Sequence, residues 1–181
     1  MDKLRLLFVI GPVAWFSLKY YGLGSWTWET STKIGILLNL AFLTLIAASA
    51  THNAYTRHRT DFLYRWKGAA RTTLIYALII PAALGCWYYG YASQALKNRQ
   101  ELQNERVEQQ IMDDDNFAQL IATNPQLKDE ERATIIERQQ SNIAIFFSPV
   151  FYLGMATLAW SFIGLIVSAV FALIWPRIWG T

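Results

Sequence analysis

Residues 143–175 read IAIFFSPVFYLGMATLAWSFIGLIVSAVFALIW, thirty-three consecutive positions without a charge. A hydrocarbon core about 30 Å thick is crossed by about 20 helical residues, within a range of roughly 17 to 25. The run is too long for one straight span and too short for two spans with a turn. Ser148-Pro149 divides it. Residues 143–148 then approach the interface and 149–175 form a membrane helix, because proline is tolerated in a first turn, where its missing N–H has no helical partner to lose.

Working outward, three more blocks share this character. Residues 6–23 are apolar apart from Lys19 and contain Pro12. Residues 34–50 are seventeen positions without charge, and residues 72–92 are again uncharged. Lipid offers no partner for backbone N–H or C=O, so a spanning segment bonds internally. The blocks are continuously apolar, not alternating as barrel strands do, so they read as helices. The predicted fold is all-α: a polytopic membrane protein with four transmembrane helices and a helical hairpin inserted between helices three and four. Three regions follow. Residues 1–92 hold the first three spans and a basic connection, 93–142 an acidic insertion, and 143–181 the long fourth helix with its tail.

Composition agrees. The 181-residue chain is 54% hydrophobic and 16% charged, where ordinary soluble domains carry roughly 25% charged residues. Mean hydropathy is +0.20. Lys3 and Arg5 precede the first block as in a signal peptide, but Lys19, Tyr20 and Tyr21 follow it without a small-residue cleavage pattern, so it reads as an uncleaved anchor. Lys19 is expected to snorkel toward a head group.

The net charge of +3 combines two regions of opposite sign. Residues 97–138 hold six basic and ten acidic residues, and the remainder ten basic and three acidic. Lys3 and Arg5, then Arg57, Arg59, Arg65, Lys67 and Arg71, then Arg177 all fall on one side of a four-span chain. The positive-inside rule places that side, with both termini, in the cytoplasm, here of a bacterial cytoplasmic (inner) membrane. Lys97 and Arg99 oppose the assignment weakly. Trp26, Trp28, Trp66, Trp87, Trp175 and Trp179 sit near block ends, where amphipathic rings favour the interface.

The connection TDFLYRWKGAAR at residues 60–71 has Thr60 or Asp61 as a helix cap. Phe62, Leu63, Trp66 and Ala70 share one face, which suits a helix lying on the membrane before the chain turns inward. Arg65, Trp66, Lys67 and Arg71 are the candidate lipid-contact residues; a pure topology signal is the plainer alternative. Inside the bilayer, Gly164, Ser168 and Ala172 recur every four residues and allow close helix approach. Asn39 is costly against lipid, so it should face another helix. These four are the candidate packing residues. Pro81 removes a helical hydrogen bond and is a candidate bend.

Within 93–142, residues 93–112 predict one helix, 117–122 a second and 128–141 a third. Leu102, Val107, Ile111, Phe117, Leu120, Ile121, Leu127, Ile135 and Ile136 would supply a small core. The run Asp113-Asp114-Asp115-Asn116 has the oxygen chemistry for a hard cation, but it lacks the EF-hand spacing and reads more simply as a helix cap. His52 and His58 lie six apart, off one helix face. Cys86 stands alone and is expected to be a small buried residue. No Walker, GxGxxG, GxSxG or HExxH motif occurs. No catalytic, metal or cofactor residue is therefore assigned, and nucleic acid is not an expected partner because the basic residues face a membrane surface.

The chain resembles the domain-of-unknown-function 4199 family of small bacterial membrane proteins. The resemblance covers most of the chain. It rests on the span order, RWKGAARTTLIYALI at the start of span three, the acidic insertion, IFFSPVF before span four and SFIGLIVSAVFALIW within it. It implies the four-helix architecture but neither an activity nor functional residues. The tryptophans, notably Trp26 and Trp28, depart from the pattern. The expected function is a structural or interaction component of the membrane, touching lipids and docking a protein partner through 93–142. The alternative is a small-molecule or lipid transporter working as a homo-oligomer. A membrane enzyme would need polar side chains converging from several spans.

Overall fold

A computed structural model describes residues 2–56 and 61–179. Among these every regular element is a helix, with no strand. The order is α1 (Asp2–Tyr21), α2 (Trp28–Tyr55), α3 (Phe62–Gly85), a π-helical segment (Cys86–Tyr91), α4 (Ser93–Met112), α5 (Asp114–Thr123), a 3-10 turn (Pro125–Leu127), α6 (Arg132–Phe146) and α7 (Pro149–Trp179). Among the described residues three helical stretches are long and apolar enough to cross a membrane: Trp28–Tyr55, Phe62–Tyr91 and Pro149–Ile178. The chain forms two compact units, Met1–Cys86 with Leu153–Thr181, and Trp87–Tyr152.

Local chemistry sets the helix boundaries. Between α1 and α2, Gly24 takes a φ of +81°, a conformation open to glycine without a Cβ clash. Thr27 then caps α2, its Oγ1 accepting from the Thr30 N–H at 3.2 Å. Of the two predicted caps for α3, Asp61 is the one used, its Oδ1 accepting from the Tyr64 N–H at 3.1 Å; Thr60 lies outside the described residues. Among the described residues no separate helix precedes span three. Residues 62–71 are the first turns of α3 itself, because nothing between Asp61 and Pro81 breaks the helix. Pro81 lies inside α3, and the π segment follows it, closed by an Ala92 N–H to Trp87 carbonyl bond of 2.7 Å.

In the first unit, α1, α2 and α3 pack together, and α7 lies against α3. Tyr76, wholly buried, sits at the centre with Leu43, Ile46, Ala77, Ile80 and Trp160. A Cβ on Gly11 would come within 2.5 Å of the Tyr76 hydroxyl, so glycine is what lets α1 approach α3 there. Along α7, Trp160, Gly164, Ser168 and Ala172 are buried, while Leu158, Phe162, Ile166, Val170 and Leu173 are exposed. The exposed stripe is large, apolar and helix-long. Such a face suits hydrocarbon and not water.

In the second unit, Ile111, Ile135 and Ile136 form the core, with Val107, Phe117, Leu120 and Leu127 against them. Leu102, expected there, is exposed. Helix α6 starts at Arg132, later than the pattern suggested, so Asp129, Glu130 and Glu131 precede it instead of filling its first turn. It runs on to Phe146, taking in residues expected to approach the interface, and Phe147-Ser148 separates it from α7. As expected from its ring, Pro149 opens α7.

Candidate functional site

Five side-chain arrangements among the described residues carry polar chemistry. The first is the seam between α3 and α7. Thr73 Oγ1 lies 2.8 Å from Ser168 Oγ and 3.3 Å from the Gly164 carbonyl oxygen. Ser168 Oγ also donates to Gly164 O at 2.7 Å, and both hydroxyls are fully buried. Arg65 Nε donates to the Ala172 carbonyl at 3.2 Å, and Trp66 Nε1 to Leu165 O at 3.4 Å. Gly164, Ser168 and Ala172 thus all lie against α3, where their small side chains leave room for a carbonyl or hydroxyl to be reached. Asn39 is buried between helices, its Oδ1 accepting from the Tyr76 hydroxyl at 3.4 Å.

Arg65 therefore does not stand among the surface cations. It is 4% exposed, turned into the bundle with its guanidinium on a backbone carbonyl. Of the face expected to rest on the membrane surface (Phe62, Leu63, Trp66 and Ala70) only Ala70 is buried; the face of α3 turned into the bundle holds Arg65, Ala69, Ala70, Thr73, Tyr76, Ala77 and Ile80. The small residues among these, recurring at three- and four-residue intervals, are the signal that could have found it.

Lys19 is a second departure. It does not snorkel outward; it is 3% exposed, and its Nζ donates to both the carbonyl oxygen and Oγ of Ser31 at 2.8 Å. The ammonium lies 5.4 Å from the Trp15 ring centroid, within cation–π range. Its role is to tie the end of α1 to the start of α2.

Lys67 and Arg71 remain exposed, one turn apart on α3, and flank a groove shared with α2. In the second unit another groove is lined by Gln110, Asn116, Gln119, Asn124 and Gln139, with Val107, Ile111 and Leu120 beneath. Sequence reasoning missed it, because the five carboxamides come from three helices and a turn.

The acidic run serves structure. Asp113 Oδ1 caps α5 by accepting from the Asn116 N–H at 2.9 Å. Asp114 pairs with Arg132 at 2.6 Å, and Arg132 also donates to Met112 O at 3.0 Å and covers the Phe117 ring at 4.3 Å. Among the described residues no group of three His, Cys, Asp or Glu side chains is placed to hold a metal. His52 rests edge-on to Trp175 at 5.9 Å between ring centroids, and His58 lies outside the described residues. Cys86 is exposed, contrary to its expected burial.

No family model, curated protein or solved structure matches the chain.

Proposed function

We propose that this protein is a four-span component of the bacterial cytoplasmic membrane that docks a partner protein through the insertion formed by residues 93–142. The fourth span is α1, added to the three long apolar stretches. Both termini are cytoplasmic, following the basic residues at the ends of α1 and α7 and along α3. Thr73, Ser168, Arg65 and Lys19, all buried in the bundle, spend their polar groups on neighbouring helices. That use of polarity supports an anchoring bundle over a transporter.

The observation that carries the docking reading is the carboxamide groove, about 460 Å³ in volume. Among the described residues its lining holds no charged side chain, although the surrounding segment is acidic. A carboxamide offers both donors and an acceptor, which matches the alternating N–H and C=O groups of an extended peptide. The apolar strip of Val107, Ile111 and Leu120 gives one partner side chain somewhere to bury. The occupant proposed is an uncharged segment of a partner protein.

Two experiments test this reading. With p-benzoylphenylalanine in place of Gln119, irradiation of living cells is expected to give one discrete heavier adduct. The same substitution at the exposed Glu108, outside the groove, should give none. Equal adducts from both positions, or none from Gln119, would reject docking here. For topology, Asp114→Cys in a Cys86→Ser background should react with a membrane-impermeant maleimide in intact cells. Asp114 is well placed for this, with a side chain 89% exposed. Labelling only after permeabilisation would reverse the orientation.

A further inference from the structure

We infer that the groove between α2 and α3 beside Lys67 and Arg71 is a binding site for an anionic phospholipid, with the phosphodiester held by these two cations. The groove has a volume of about 380 Å³. Lys67, Arg71, Asn53 and Thr72 supply its polar lining, and Leu4 and Ala54 supply apolar wall. Among the described residues its lining holds no carboxylate. Residues four apart on a helix have Cβ atoms about 5–6 Å apart, so one phosphate can be reached by both side chains. Arginine adds a planar fork that fits two phosphate oxygens.

What distinguishes a lipid from a small anion is the surface that continues from the charges. One turn beyond Arg71 on α3 stands Ile75, 48% exposed, followed by Leu78 at 58%. Both belong to a stretch apolar enough to lie in hydrocarbon. Charge at one end and an unbroken apolar track at the other match a head group with its acyl chain, and basic pockets between membrane helices are where anionic head groups bind. A zwitterionic head group brings its own cation to the same two charges and loses the net attraction. Arg65, the third cation of this segment, takes no part, since it is occupied at the α7 carbonyl. The inference rests on different residues from the docking groove, and either can fail alone.

The test uses the delipidated full chain in mild detergent. Native mass spectrometry reads retained dioleoylphosphatidylglycerol against dioleoylphosphatidylcholine, with inorganic phosphate as competitor. Wild type should retain the phosphatidylglycerol in preference to the phosphatidylcholine. A basic residue near an anionic head group is worth about a fivefold factor in binding, so K67Q with R71Q should weaken retention about thirtyfold. K33Q with K97Q removes equal charge from exposed positions outside the groove and should leave retention within about twofold. G68L keeps both cations while filling the groove, where a Cβ meets only the Ala54 Cβ at 3.4 Å. It should also lose the lipid. Equal retention of the two lipids by wild type would overturn the inference. So would an equal loss in the K33Q/K97Q control, full retention by G68L, or displacement by millimolar phosphate, which would make the site one for a free anion.

Discussion

Tyr76→Ala will destabilise the membrane bundle by about 3 kcal/mol, near the lower end of the range for truncating a buried aromatic ring. The lower end applies because the unfolded reference also sits in lipid, so packing is lost without a matching gain from water exclusion. The packing at stake is extensive. The ring is wholly buried among Leu43, Ile46, Ile80 and Trp160. Gly11 lies against its hydroxyl end, and the Phe8 ring is 6.2 Å from it between centroids. Three helices therefore face the cavity that alanine would leave, and helices held by their loops cannot all close in on it. Tyr76→Phe removes only the 3.4 Å bond to Asn39 and should cost about 0.6 kcal/mol, the average for such bonds in membranes. Equilibrium unfolding in mixed micelles titrated with dodecyl sulfate separates the two variants. If Tyr76→Ala and Tyr76→Phe shift the midpoint equally, the ring is not the centre of the core.

Ser168→Phe should have the second largest effect, about 2–3 kcal/mol, through overpacking at the α3–α7 seam. Ser168 is fully buried with its Oγ 2.8 Å from Thr73, leaving no room for a phenyl ring between the two helices. Ser168→Ala isolates the hydrogen bond. It should cost about 0.6 kcal/mol, because Thr73 still donates within its own helix to Ala69 or Ala70. Volume, not the hydroxyl, thus governs this contact. Heating in mild detergent followed by gel filtration should show a clearly lowered melting midpoint for the phenylalanine variant alone. A wild-type midpoint for Ser168→Phe would mean that α7 does not pack on α3 through this face.

The helices were legible because continuous apolarity, Asp61, the Asp113 break and Pro149 are local signals with local causes. The second unit's core was also legible. Its helices are amphipathic, and of the nine expected residues seven form it, with the exposed Leu102 and the half-buried Ile121 outside. The buried faces of the membrane helices were a different matter. A helix apolar all round carries little periodic contrast, so its sequence does not say which side meets protein. Arg65 and Lys19 show the consequence. A cation beside an apolar block is ordinarily read as reaching for water, yet both have acceptors within the bundle, at Ala172 O and Ser31. Those acceptors lie 107 and 12 residues away in sequence, beyond any local pattern. The carboxamide groove was hidden for the same reason.

The four-residue repeat of Gly164, Ser168 and Ala172 has a geometric consequence. Three compact rungs at equal intervals form a ladder whose outline changes little if α7 climbs or sinks by a single turn, about 5.4 Å. The three rungs alone leave its vertical position nearly degenerate, and Trp160, four residues before Gly164 on the same face, supplies one stop by packing in the Tyr76 cluster. The tie-breakers sit at the other side of the seam, where the guanidinium of Arg65 and the indole of Trp66 each reach for one carbonyl, at Ala172 and Leu165. The Trp160 ring, the Ser168–Thr73 contact and these two polar latches together decide the depth at which the last helix sits.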